Sequence, residues 1–166
     1  MLLYLIVSAL VNCVCATTKV SLTSGLWTGS VIEVTDKNRT RVETFLAVSH
    51  AEPPLGKLRF QRPVRSIYRG ARNATKMGSP YIQREYFAIK QNVTYTFWPS
   101  SEDCLHLNIY RPTKANNLPI IVHYFGGSFY GGYNGMFLYD PEQLVVTQNV
   151  ILVTVNYRVG LLGFLY

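Results

Sequence analysis

Pro119-Ile-Ile-Val-His-Tyr-Phe-Gly-Gly-Ser-Phe-Tyr-Gly-Gly132 is an apolar run that breaks into a glycine-rich loop. Apolar residues in unbroken succession suit a parallel strand covered on both faces. Paired glycines directly after it let backbone N–H groups point into open space with no Cβ in the way. Such donors can hold a developing oxyanion, so the chemistry this stretch names is acyl transfer.

Working outward, Val150 to Asn156 is a second continuous apolar strand. Between the two, Asp140-Pro-Glu-Gln143 has the residues of a helix start: Asp at the N-cap, Pro at the first position, an amide at the third. The helix is predicted to run through Val146 and hand over to the second strand, a βαβ crossover. Upstream, Leu105 to Tyr110 alternates as a half-buried strand should, and Pro112 stops it. Gly25 to Val34 and Val42 to Val48 are predicted hairpin strands. Glu52 to Trp98 is rich in turns, prolines and basic residues, and there are no internal repeats. The class is therefore α/β. One helix cannot cover both faces of two buried parallel strands, so the expectation is the front part of a larger domain.

The 166 residues, nearly half apolar, suffice for one globular domain. Leu2 to Val11 is an apolar stretch too short to span a bilayer and is followed by small residues. Residues 1–16 are accordingly predicted to be a secretory signal, cut after Cys15 or Ala16, leaving 17–166. Three acceptor sequons, at Asn38, Asn73 and Asn92, fit a glycosylated extracellular product. Cys13 and Cys15 leave with the signal, so Cys104 is the single thiol of the remainder. It is a buried inert residue, one end of an intermolecular bridge, or a thiol whose partner is missing.

The formal charge is +7, and its source is local. Lys57, Arg59, Arg62, Arg65, Arg69, Arg72 and Lys76 share one stretch with no acid among them. Pro63 and Gly70 break any helix there, leaving a solvated loop or, more sharply, a surface for an acidic glycan or an anionic partner protein. No nucleic-acid-binding module is present.

Three further segments carry a resemblance. Ser101-Glu-Asp-Cys-Leu-His-Leu-Asn-Ile-Tyr110 resembles the second signature of the type-B carboxylesterase and cholinesterase family. Ala51-Glu-Pro-Pro-Leu-Gly-Lys-Leu-Arg-Phe60 is similar to that family's N-terminal proline motif, and Val153 to Leu165 to the strand after its oxyanion loop. The resemblance covers roughly Gly25 to Tyr166. It implies an α/β-hydrolase fold, incomplete here: a small antiparallel N-terminal sheet plus the first strands of a mostly parallel central sheet. It implies hydrolysis of a small-molecule carboxylic ester by Ser, an acid and His, in that chain order and with no cofactor.

No Gly-x-Ser-x-Gly nucleophile elbow occurs in the sequence. All three catalytic residues are therefore expected beyond Tyr166, and the chain alone is expected to be inactive. What the resemblance does place here is the oxyanion pair, the N–H groups of Gly127 and Ser128, with Gly126, Phe129 and Tyr130 beside the substrate. Tyr133 joins those aromatics as a candidate pocket residue, while Tyr124 and Phe125 are expected to pack in the core. Ser128 stands where the family usually has glycine, a misfit if left-handed backbone is required.

The family also pairs the Cys of the Glu-Asp-Cys motif with one some twenty residues upstream, where this chain has Tyr81. Glu102 is expected to meet Arg59, and Arg158 an acid further on. Trp98 is expected to be an ordinary packed aromatic. His50, His106 and His123 are assigned structural roles, since their spacing suits no metal site. The alternative to an enzyme is a cholinesterase-like adhesion or binding protein that kept the fold and lost the triad.

Overall fold

The computed structural model describes residues 16–34, 40–67, 70–83, 99–113, 116–135 and 141–165. Asn38, Asn92, Arg69, Trp98 and Asp140, the residue expected to cap a helix, lie outside the described residues, as does the segment 1–15.

Strands β1 (Ala16–Leu22), β2 (Gly25–Glu33), β3 (Arg41–Ser49), β4 (Ala71–Asn73), β5 (His106–Pro112), β6 (Ile120–Tyr124) and β7 (Ile151–Val155) form one sheet. Their order is β1-β2-β3-β5-β7-β6, with β4 paired to β2. Every neighbour along that path is antiparallel except the last, where β6 and β7 run parallel. The antiparallel N-terminal strands and the parallel pair are thus joined by β5 into a single surface.

The first hairpin turns on Thr23 and Ser24, with Leu22 opposite Gly25. Val20 and Leu22 pack with Trp27, Phe45, Val48 and Ala74 on one face, which explains a strand in a sequence as polar as 16–22. Gly29 is required because β3 crosses there: a Cβ would lie 2.3 Å from the Thr44 carbonyl oxygen. Beyond that crossing β2 and β3 part, and β4 enters beside Leu26 to Thr28.

Helix α1 (Pro141–Gln148) links β6 to β7 and covers the opposite face of the sheet. Its Val145 is fully buried against Val42, Tyr110 and Leu152. Removing that side chain from water is worth about 1.5–3 kcal/mol. A short helix, α2 (Gly160–Phe164), follows β7.

One helix leaves apolar surface uncovered on the strand at 120–124. Strand β6 lies at the sheet edge, with Ile120, Ile121, Val122 and Tyr124 all exposed. Tyr124 is a correction: it points to solvent at 64 % exposure, whereas Phe125 is in the core at 2 %. A third cluster, Ala51, Tyr81, Cys104, Leu105, Phe125 and Val159, sits where the carboxyl ends of β6 and β7 meet the start of β5. In open sheets of this kind ligand sites form outside the carboxyl ends of parallel strands.

Candidate functional site

The loop Phe125–Gly132 leaves β6 at that end of the sheet. Phe125 anchors its start: its ring stacks on Tyr157 at 4.2 Å between centroids, and Tyr157 Oη donates to the Phe125 carbonyl at 2.6 Å. Gly126 faces open space. Gly127 has φ +140°, and a Cβ there would sit 1.9 Å from the Gly131 carbonyl oxygen, so only glycine fits.

Ser128 and Phe129 follow with φ +52° and +63°, two non-glycine residues in left-handed backbone. Such conformations cost of order 1–2 kcal/mol each and persist only where surrounding contacts over-determine them. Those contacts are visible. Tyr130 N–H donates to the Gly127 carbonyl at 3.0 Å, and Gly160 N–H donates to the Phe129 carbonyl at 2.6 Å. Gly132 N–H donates to Gln83 Oε1 at 2.5 Å, while Gln83 Nε2 donates back to the Gly132 carbonyl at 3.0 Å. The N–H groups of Gly127 and Ser128 donate to no acceptor among the described residues. Phe129 and Tyr130 stand exposed beside them, Phe129 edge-on to Phe164.

The floor beneath the loop is polar and closed. Asn156, at 0 % exposure, donates through Nδ2 to the carbonyls of Cys104 and Ser79, and its Oδ1 accepts from Asn134 N–H. His50 Nε2 bonds the Asn156 carbonyl and His106 Nε2 the Ser79 carbonyl, which requires both rings to carry the proton on Nε2. His106 Nδ1 is buried without a partner, and burial pushes this imidazole below the ordinary histidine range. His123 lies half-buried in β6. These environments make His50 and His106 supports of the backbone.

Cys104 is a free, fully buried thiol. Burial, with the Asp103 charge second, pushes it up to about 12. Among the described residues it has no disulfide partner, and a buried thiol held in its protonated form is unreactive. Tyr81, 1 % exposed, belongs to the same cluster and fills the place where the resemblance puts a second thiol.

Arg59 and Glu102 meet in a two-pronged pair at 2.8 and 2.7 Å. That contact raises the Arg59 guanidinium further above its ordinary range. Arg158 donates to the Gln61 carbonyl at 2.9 Å. Asn73 lies exposed on β4.

The order of elements (antiparallel strands, a glycine-rich loop after β6, a crossover helix and β7) defines a partial α/β-hydrolase fold. Two solved esterases share it: a thermophilic PNB esterase at 32 % identity and TM-score 0.73, and a PNB esterase at TM-score 0.71. Each superposes on 89 % of this chain, which spans 29 % and 28 % of theirs. The carboxylesterase family model matches residues 16–166, and the chain belongs to that family. Among curated relatives, acetylcholinesterase 1 of Caenorhabditis elegans is 39 % identical over 86 % of this chain. Carboxylesterase 5A of Mus musculus is 42 % identical over 74 %. The chain spans about a quarter of their length, 24 % and 22 %.

Proposed function

We propose that these residues carry the oxyanion-donor loop of a secreted carboxylic-ester hydrolase. The N–H groups of Gly127 and Ser128 bind the oxygen that becomes negative when a nucleophile attacks the ester carbonyl. Phe129 and Tyr130 flank the ester, and Gly126 lets it approach the backbone. The nucleophile, the acid and the His come from outside these 166 residues, so the chain alone does not turn over esters. The observation that carries this reading is the pair of consecutive donors without acceptors among the described residues, held in a strained loop. Donors left unused and pinned in place are what a preorganised oxyanion site requires.

Ser128 in left-handed backbone favours a second reading, a binding protein that kept the fold without catalysis. Export follows the same proposal: residues 1–16 are removed and Asn38, Asn73 and Asn92 carry glycans. Asn73 supports it by its exposed position. Among the described residues no helix is long and apolar enough to cross a membrane.

The experiment is a transplant. Residues 17–166 replace the corresponding segment of a related active esterase, and short-chain p-nitrophenyl ester hydrolysis is measured for the chimera and for the chain by itself. The chimera is expected to turn over and the chain alone to match buffer. A folded chimera without turnover, even with Ser128→Gly, favours the binding protein. Turnover by the chain alone overturns the assignment of the nucleophile elsewhere.

A further inference from the structure

The basic stretch identified in the sequence takes no part in the ester chemistry, and its placement points to a ligand of its own. Residues 55–65 are exposed throughout except Leu58. Arg59 is neutralised by Glu102, which removes it from the count. Among the described residues no carboxylate lies within ion-pair distance of Lys57, Arg62 or Arg65.

The far end of the stretch is sewn to the first hairpin. Arg65 Nη2 donates to Thr23 Oγ1 at 3.2 Å, and Leu26 N–H donates to the Gly70 carbonyl at 3.1 Å. Strand β4 then sets Arg72 opposite Trp27, with its guanidinium 6.0 Å from the ring centroid. Arg65 is thus tied to the Thr23–Ser24 turn and Arg72 to Trp27 on the strand that follows it, with Arg62 three residues before Arg65. Three residues of chain span at most roughly 10 Å.

We propose that Arg62, Arg65 and Arg72 form a strip that binds a sulfated glycosaminoglycan chain. A linear polyanion can follow an extended row of cations end to end, which a compact anion cannot. The row is arginine, whose weakly hydrated planar fork matches the oxygens of a sulfate better than an ammonium does. Sulfate esters stay ionised across the physiological pH range, so binding follows ionic strength rather than pH. The site is separate from the glycine loop and stands or falls without the ester reading.

The test uses the full chain and three immobilised probes: a heparin dodecasaccharide, the same oligosaccharide fully desulfated, and polyglutamate. The double variant Arg62→Gln/Arg65→Gln is compared with Lys19→Gln/Arg41→Gln, which removes the same charge elsewhere. The strip variant is expected to bind heparin at least tenfold more weakly, with the slope of log K against log salt reduced by about two. The control is expected to stay within threefold, and the other probes to bind at least tenfold more weakly than heparin. Equal losses in both doubles show a response to net charge alone and overturn the proposal. Equal binding of desulfated chain overturns it too, and tight binding of polyglutamate assigns the strip to an acidic protein instead. Should the strip variant misfold, heparin protection of Arg62 and Arg65 from a dicarbonyl reagent on the unaltered chain decides the matter. Unprotected arginines contradict the strip.

Discussion

The side-chain amide of Gln83 holds both backbone polar groups of Gly132, Oε1 accepting from its N–H at 2.5 Å and Nε2 donating to its carbonyl at 3.0 Å. Gln83 is thereby a second backbone partner for the end of the glycine loop, replacing the strand pairing that ends at Tyr124. Gly131 leaves it room, since a Cβ there would lie 2.8 Å from Gln83 Oε1.

Gln83→Ala removes both bonds to Gly132, and the bond from Nε2 to the Tyr81 carbonyl, at a half-buried site. We expect a stability loss of about 1–3 kcal/mol, read from the urea midpoint. Amide exchange should accelerate at Gly132 and Gly131 while β7 stays protected. Unchanged exchange at Gly132 would mean that the clamp does not hold the loop.

Ser128→Gly relieves left-handed strain at one position while adding freedom to the unfolded chain. The balance is a gain of roughly 0.5–1 kcal/mol. Gly127→Ala has the opposite effect, because its Cβ meets the Gly131 carbonyl, and should cost on the order of 3 kcal/mol. Thermal melts of the two variants, shifted in opposite directions, check both.

Asn156→Ala removes one of two donors from each of the Ser79 and Cys104 carbonyls, which keep His106 Nε2 and the His106 N–H, and leaves Asn134 N–H without its acceptor. The orphaned N–H together with the two lost bonds is expected to cost about 1–3 kcal/mol, read from the urea midpoint. A midpoint within error of the parent would show that water takes over the hub.

His106 supplies a pH dependence with a definite sign. Burial depresses its folded pKa, outweighing the Ser79 carbonyl bond, with Asp103 and His50 as weaker opposing charges. The folded state therefore prefers the neutral ring. Stability is full above the unfolded value of about 6.5 and falls as pH drops below it toward the folded pKa. Urea midpoints between pH 7.5 and 5 should show that decline, and His106→Gln should flatten it.

The legible part of the fold was the part carried by local pattern. The apolar runs at 120–125 and 150–156 gave β6 and β7, and Pro141 opened α1 where the sequence placed a helix start. Strands β1 and β4 escaped because their partners, not their composition, make them strands: Ala16–Leu22 alternates only weakly, and Ala71–Asn73 is three exposed residues. The exposed apolar side chains of β6 accord with the expectation that one helix cannot cover both parallel strands. At the site, Gly127 and Ser128 could be named from their glycine-rich surroundings. Gln83, Tyr157 and Asn156, which pin and underlie the loop, could not be given those tasks. Their partners lie 49, 32 and 77 residues away, and no spacing in the sequence encodes such contacts.

The oxyanion role of Ser128 N–H is tested most directly by deleting that one hydrogen. In the active chimera, residue 128 is replaced by its α-hydroxy acid analogue, which turns the amide into an ester and leaves the side chain in place. We expect kcat to fall on the order of 10²–10³ with KM within a few-fold, the pattern of a bond made in the transition state. An unchanged kcat would contradict the assignment of this loop as the oxyanion donor.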